Sequence, residues 1–140
     1  MSLVLDSSVT LAWIYSDETT EPIRAVFNAV ADHGAVVPSL WRLEVANSLT
    51  VAMRRGRIEA EFRRAALADL AFLDITVDAY TDSNAWTTTL ELADRFRLTA
   101  YDAAYVELAG RHGLPLATLD EEMRAAGAAL GLRLLGAPEL

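Results

Sequence analysis

Five short apolar runs, each separated from the next by longer stretches of helical period, constrain this chain more than any other feature. The runs fall at 3–5, 35–37, 75–77, 116–118 and 133–135. Amphipathic stretches occupy 21–31, 40–54, 59–72, 85–96, 100–112 and 121–130, with breaks at Gly34, Pro38-Ser39, Gly56, Gly113-Leu114-Pro115 and Gly131. Strands that alternate with helices pair in parallel, because each crossover helix returns the chain to the same end of the sheet. Helices then cover both faces, which gives an expected α/β fold in three layers, α/β/α, around a central parallel sheet of four to five strands. No repeat, linker or low-complexity tract divides the chain, so residues 1–140 read as one domain. In such sheets the working crevice lies beyond the carboxyl ends of the strands.

Composition narrows the chemistry. There is no Cys, which removes disulfides, thiolate metal sites and thiol nucleophiles together. All twelve basic residues are Arg, so lysine Schiff bases and P-loop lysines are excluded. The net charge of -8 argues against direct nucleic-acid binding, unless carboxylates are gathered to hold cations, which reverse the local sign. A hydrophobic fraction of 53% and a mean hydropathy of +0.22 exceed what a small domain readily hides, so some apolar surface is expected to meet a partner. No run approaches the roughly 20 apolar residues of a membrane span. The start of the chain shows neither the charged region nor the apolar core of a signal peptide, and a cytoplasmic protein is expected.

Four acids occupy telling places. Asp6 directly follows the first apolar run in "LVLDSS", where the plain alternative is a cap or turn residue opening a helix. Glu44 lies in "PSLWRLEVANSLTVAMRR", a stretch that Ser39 can cap. At 100° per residue Glu44 and Asn47 point within about 60° of each other, on a face shared with Leu40 and Val51. A glutamate there is buried and needs a partner, which an ion pair with a core arginine would also supply. Asp102 sits on the inward stripe of "LTAYDAAYVELAGRHG" with Tyr105, Val106 and Ala109, while Glu107 and Arg111 point the other way, as a solvated face should. Thr99 and Asp102 also have capping-box spacing. Asp120 follows another strand in "LPLATLDEEM", where N-capping is the simple explanation.

Two of these acids fall at strand ends and two on inward helix faces, places that a doubly wound sheet brings to one crevice. Four carboxylates packed together repel, and several would take up protons unless a cation intervenes. An all-oxygen donor set selects Mg²⁺ or Mn²⁺ over Zn²⁺. His33 and His112 both lie near helix C-termini, where an imidazolium is favoured, and do not form a metal pair.

The stretches "LVLDSSV", "VPSLWRLEVANSL" and "LTAYDAAYVELAGRHGLPLATLDEEM", in that order and spacing, resemble the PIN domain, and within it the small VapC-type toxins of toxin–antitoxin pairs. The resemblance covers nearly the whole chain. It implies a Rossmann-like sheet and a metal-dependent endoribonuclease, with the family's acidic quartet falling on Asp6, Glu44, Asp102 and Asp120. It also implies supporting polar residues at Ser8, Asn47 and Thr118. Mg²⁺ or Mn²⁺ held by the quartet would lower the pKa of a bound water, and Asp120 could serve as general base. Glu121 and Glu122 are extra acids beside Asp120 and read as solvated. The implied partners are an RNA substrate, a cognate antitoxin protein and a second copy of the chain, with no membrane, and with DNA reached only through the antitoxin.

Arg54, Arg55 and Arg57 form a basic knot in "MRRGRIE", with Arg63 and Arg64 close behind. They suit RNA phosphate, or equally the dipole at a helix C-terminus. Arg24 and Arg42 are further basic candidates. Trp13, Trp41 and Trp86 are expected in the core. Other readings are a catalytically silent PIN-like scaffold, a receiver domain and a haloacid-dehalogenase-like hydrolase. The receiver fails for want of Lys, and the hydrolase because Ser8 stands where its second Asp belongs. A dinucleotide-binding domain lacks its G-x-G-x-x-G.

Overall fold

A computed structural model describes residues 2–138. In chain order the elements are β1 (Val4–Leu5), α1 (Ser7–Ile14), a 3-10 turn (Ser16–Glu18), α2 (Glu21–His33), β2 (Ala35–Val37), α3 (Trp41–Arg54), α4 (Ala60–Ala71) and β3 (Ile75–Val77). They continue with α5 (Thr81–Asn84), α6 (Thr88–Phe96), α7 (Ala100–His112), β4 (Leu116–Ala117), α8 (Glu121–Ala129) and β5 (Leu134–Leu135). All five strands are parallel, in the order β3-β2-β1-β4-β5.

β1 is the centre of the sheet. Val4 is in register with Val36 on one side and Leu116 on the other, and Leu3, Val4 and Leu5 are buried on both faces. That explains the unbroken apolar run, since a central parallel strand has no solvent face to mark with polar residues. From β1 the chain winds outward through β2 to β3, then crosses back to β4 and β5. Right-handed crossovers place α1–α4 on one face and α5–α8 on the other. α1 accordingly packs on α2 and α3, and α7 on α6 and α8. The reversal of direction leaves a switch point between β1 and β4, where the following segments diverge and open a crevice.

Local sequence sets the boundaries. Thr20 caps α2 through the Ile23 N–H, with Pro22 in the first turn. Gly34 ends α2 at φ +77, and a Cβ there would stand 2.8 Å from the Asp74 carbonyl oxygen. Thr99 caps α7 by accepting the Asp102 N–H at 3.1 Å. α7 is buried from Ala103 through Ala109 and packs against β1 and β4, making it the innermost helix.

Three expectations are corrected. The stretch read as helical from 85 to 96 becomes helix only at Thr88, in α6; residues 85–87 are a turn that separates it from α5. The chain leaves helical geometry at Thr87 (φ -119, ψ -100), where a run of three threonines has little to gain from a helix. Ser39 does not cap α3. The N-cap is Leu40, without a side-chain cap, and the Ser39 N–H donates instead to Thr81 Oγ1 at 3.1 Å. Trp41 is in the core and Trp13 packs against it, but Trp86 is 88% exposed beside the break between α5 and α6. Among the described residues no helix is long and apolar enough to cross a membrane.

Candidate active site at the switch point

Asp6 leaves β1 with its N–H bonded to the Ala117 carbonyl at 3.0 Å, so it stands level with Thr118. It occupies the N-cap position of α1, yet its carboxylate caps nothing there. Oδ2 instead accepts two short hydrogen bonds, from Ser8 Oγ at 2.6 Å and Thr118 Oγ1 at 2.8 Å. Each hydroxyl is itself aimed by a backbone donor from the segment after β4. The Leu119 N–H donates to Ser8 Oγ and the Asp120 N–H to Thr118 Oγ1, both at 3.1 Å. Oδ2 is therefore fully engaged, while Oδ1 has the Ser7 hydroxyl at 3.5 Å, the Ser7 backbone N–H adds a weaker contact to the carboxylate, and no further donor is found among the described residues. Burial, foremost, pushes the Asp6 carboxyl above its usual range. The two hydroxyls oppose that shift and the Asp120 charge adds to it.

Asp120 does cap α8, accepting the Met123 N–H on Oδ1 at 2.9 Å. The capping explanation holds for one of its oxygens and leaves Oδ2 over. Glu44, in the first turn of α3, accepts the Tyr105 hydroxyl on Oε1 at 2.5 Å. Its carboxyl is raised by burial, against the Tyr105 bond, and further by the charges of Asp6 and Asp102. Asp102 is raised by burial and then by the charges of Asp6 and Asp120. Burial and the bond to Glu44 hold the Tyr105 phenol well above its ordinary range, so it stays a donor.

The fold thus brings all four acids within reach of one another's fields. No guanidinium hydrogen-bonds to any of them among the described residues. Glu122 adds its charge to Asp102, so it stands closer to the crevice than its sequence position suggests, although it is exposed. Among the described residues no three acidic or histidine side chains have converged to metal-ligand distances. The donor chemistry nevertheless fits a hard divalent cation: carboxylate oxygens only, one left over on each of Asp6, Glu44 and Asp120, and a mutual repulsion that hydroxyls ease but no guanidinium among the described residues neutralises.

Ser8 and Thr118 are joined to the site by the bonds above. Asn47 is not: it is exposed on α3 and hydrogen-bonds to none of the four acids. The basic knot is partly committed elsewhere. Arg57 pairs with Glu18 at 2.8 Å and lies 3.9 Å over the Tyr15 ring, and Arg64 pairs with Glu61. Arg63 donates to Thr50 at 3.2 Å and Arg24 pairs with Glu21 at 3.2 Å. Arg54 and Arg55 are exposed at the end of α3, as is Arg42 near its start.

The expected solvated face of α7 is overturned. Glu107 is buried at 5% exposure, and Arg111 bridges it, at 2.8 and 3.0 Å, to Asp78 at 2.7 and 3.1 Å. The Arg111 guanidinium holds the Asp78 carboxyl below its usual range. Thr81 also donates to Asp78, at 3.1 Å. Sequence reasoning passed over both Tyr105 and Asp78. Each left a trace, a phenol in mid-stripe that must find a partner and a third acid directly after a strand.

A five-stranded parallel sheet with acids gathered at its switch point defines the class: a doubly wound α/β domain with carboxylates at the carboxyl ends of its central strands. The model of the PIN domain family matches residues 3–129, and the chain belongs to that family. Among curated proteins, Ribonuclease VapC3 of Pyrobaculum aerophilum is 32% identical over 124 residues, 88% of this chain and 92% of that protein. The chain also resembles the crystal structure of VapBC2 from Rickettsia felis bound to a DNA fragment from their promoter, with a TM-score of 0.67 and 15% identity, covering 96% of this chain and 97% of that one. FitAcB from Neisseria gonorrhoeae matches with a TM-score of 0.65 and 14% identity over 96% of each chain. At those identities the two structures support the fold alone.

Proposed function

We propose that this chain is a VapC-type endoribonuclease, the toxin half of a type II toxin–antitoxin pair, acting as a single domain with Mg²⁺ or Mn²⁺ held by Asp6, Glu44, Asp102 and Asp120. The observation that carries the reading is the crevice itself: Asp6 feels the charge of Asp120, Glu44 those of Asp6 and Asp102, and Asp102 those of Asp6 and Asp120, with no cationic side chain among the described residues bonded to any of them. A module kept only for binding has no use for so costly a cluster. The name of the 32% identical relative supports ribonuclease activity, and the titles of the two structural neighbours support a toxin–antitoxin setting.

A bound divalent ion supplies Lewis acidity toward a phosphodiester oxygen and acidifies water near it. The chain's residues do the rest. Ser8 and Thr118 lock Asp6 Oδ2 and leave Oδ1 facing the crevice. Asp120 Oδ2, free because the cap uses Oδ1, is the atom placed to accept a proton from an attacking water. Asp102 enters from the first turn of the buried α7, a rigid mount. Arg54 and Arg55, exposed at the end of α3, are placed in solvent to meet RNA phosphate, whereas Arg57 would have to give up Glu18. Exposed apolar side chains such as Leu43, Phe72 and Trp86 supply surface for an antitoxin and a second copy of the chain. An antitoxin arginine would neutralise the crevice directly, and DNA contact would belong to the antitoxin.

The test is cleavage of a pool of structured RNAs by the purified protein with Mg²⁺, with Mn²⁺ and with chelator, beside Asp102→Asn. Cleavage should require the ion and fall about 10³-fold in the variant. Cutting that survives chelator, or survives Asp102→Asn, overturns the reading.

A further inference from the structure

Tyr105 follows Asp102 by three residues on α7, which puts the two side chains within about 60° of each other on one face. Its ring is wholly buried, and its hydroxyl is the polar tip that reaches the crevice. There it donates to Glu44 Oε1, joining α7 to α3 across 61 residues of chain. It is the stronger of two side-chain donors that act on Glu44, the Ser7 hydroxyl being the weaker.

Glu44 needs such a tether. A glutamate on the first turn of a helix can swing its carboxylate outward, and both entropy and the repulsion of Asp6 and Asp102 favour that swing. Tyr105 cannot follow it, because its ring is fixed in the core with two torsions and no free volume. The bond occupies Oε1 and leaves Oε2 outside it.

We propose that Tyr105 is a positioning residue for the cation site, its hydroxyl holding Glu44 in the crevice against Asp6 and Asp102 so that Oε2 faces the ion. The proposal rests on the reading of the crevice as a divalent-cation site. α7 then serves that site twice, through Asp102 directly and through Tyr105 by way of Glu44.

The experiment is a titration of the full-length, ion-stripped protein with Mn²⁺, free Mn²⁺ being read from its electron paramagnetic resonance signal. Wild type, Tyr105→Phe, Glu44→Gln and the double variant form a cycle. Phenylalanine keeps the buried ring, so the fold should persist, which thermal unfolding without metal checks. Tyr105→Phe should weaken Mn²⁺ binding about tenfold, the scale of a lost hydrogen bond to a charged group. In the Glu44→Gln background the same change should have an effect within about twofold. RNA cleavage by Tyr105→Phe should recover at high Mn²⁺, which damage to the fold would not allow. Equal affinity in wild type and Tyr105→Phe overturns the proposal and leaves the cation site standing. So does an equal loss in both backgrounds, the mark of general packing, or tighter binding, which would make Tyr105 a competitor for Glu44. Absence of Mn²⁺ binding by wild type overturns the cation site, and the proposal with it.

Discussion

"LVLD" and "ITVD" are nearly the same phrase, yet Asp6 and Asp78 lead opposite lives. Each is an aspartate directly after a short parallel strand, and each is buried. Asp78 follows the edge strand β3, where Arg111 and Thr81 satisfy it and hold its carboxyl below the ordinary range. Asp6 follows the central strand β1, where hydroxyls but no cation meet it and burial lifts its carboxyl. The difference is topological. β1 borders the switch point, where the connections after β1 and β4 diverge and bring no arginine of their own to Asp6 among the described residues. β3 does not, and α7 brings its own arginine. A buried acid becomes a candidate functional group when the fold leaves its charge unanswered.

That contrast breaks most visibly at Arg111. Arg111→Met would leave Asp78 and Glu107 buried together without their cation, and should cost about 3 kcal/mol of stability at pH 7 by urea unfolding. Adding Asp78→Asn and Glu107→Gln should restore part of the loss. Asp102→Asn in the crevice should cost nothing in the ion-free protein, since it relieves repulsion. A loss under about 1 kcal/mol for Arg111→Met would mean the triad is not a neutralised unit.

The crevice should take its missing charge from solution. Mn²⁺ at 100 times its Kd should stabilise the wild type by about 2.7 kcal/mol, and Asp6→Asn should abolish most of that gain. Thermal unfolding at several Mn²⁺ concentrations reads both, and the triad variants should keep the full response. A wild type indifferent to Mn²⁺ would put the crevice on the same footing as Asp78.

The smallest effect separates the regions by pH. Asp6, Glu44 and Asp102 bind protons more tightly folded than unfolded, so ion-free protein should gain stability as pH falls through their raised values toward about 4. Asp78 has the opposite sign: its contribution is complete above about pH 4 and is lost as pH falls through its lowered value. Stability measured across pH 3 to 7 should therefore rise and then fall on acidification, and saturating Mn²⁺ should remove the rise. A steady decline from neutrality would contradict the unanswered charge at Asp6.

Strands and long helices were legible because their periods differ and β1, buried on both faces, has no polar interruption. The four acids were legible as strand-end and inward-face positions. Their meeting was legible only once a parallel sheet was assumed. What sequence could not rank was Asp78 against Asp6, since the distinction lies in strand order and in an arginine 33 residues away. Glu107 and Arg111 show the limit of helical-wheel reasoning: a charged pair facing away from one core met another element of the same molecule. Thr87 shows how a helix can begin later than its apolar spacing suggests, since residues 85–87 are a turn and α6 starts at Thr88.

The pair of hydroxyls that grips Asp6 ties residue 6 to residues 118–120, more than a hundred residues further along the chain. A ribosome delivers the first aspartate early and its donors late. Until β4 has emerged, β1 has one bare edge, Asp6 lacks the Thr118 hydroxyl, and Asp120 has not arrived. The crevice is complete only once residue 120 has been made, so synthesis itself keeps a growing chain from acquiring its full set of acids before then.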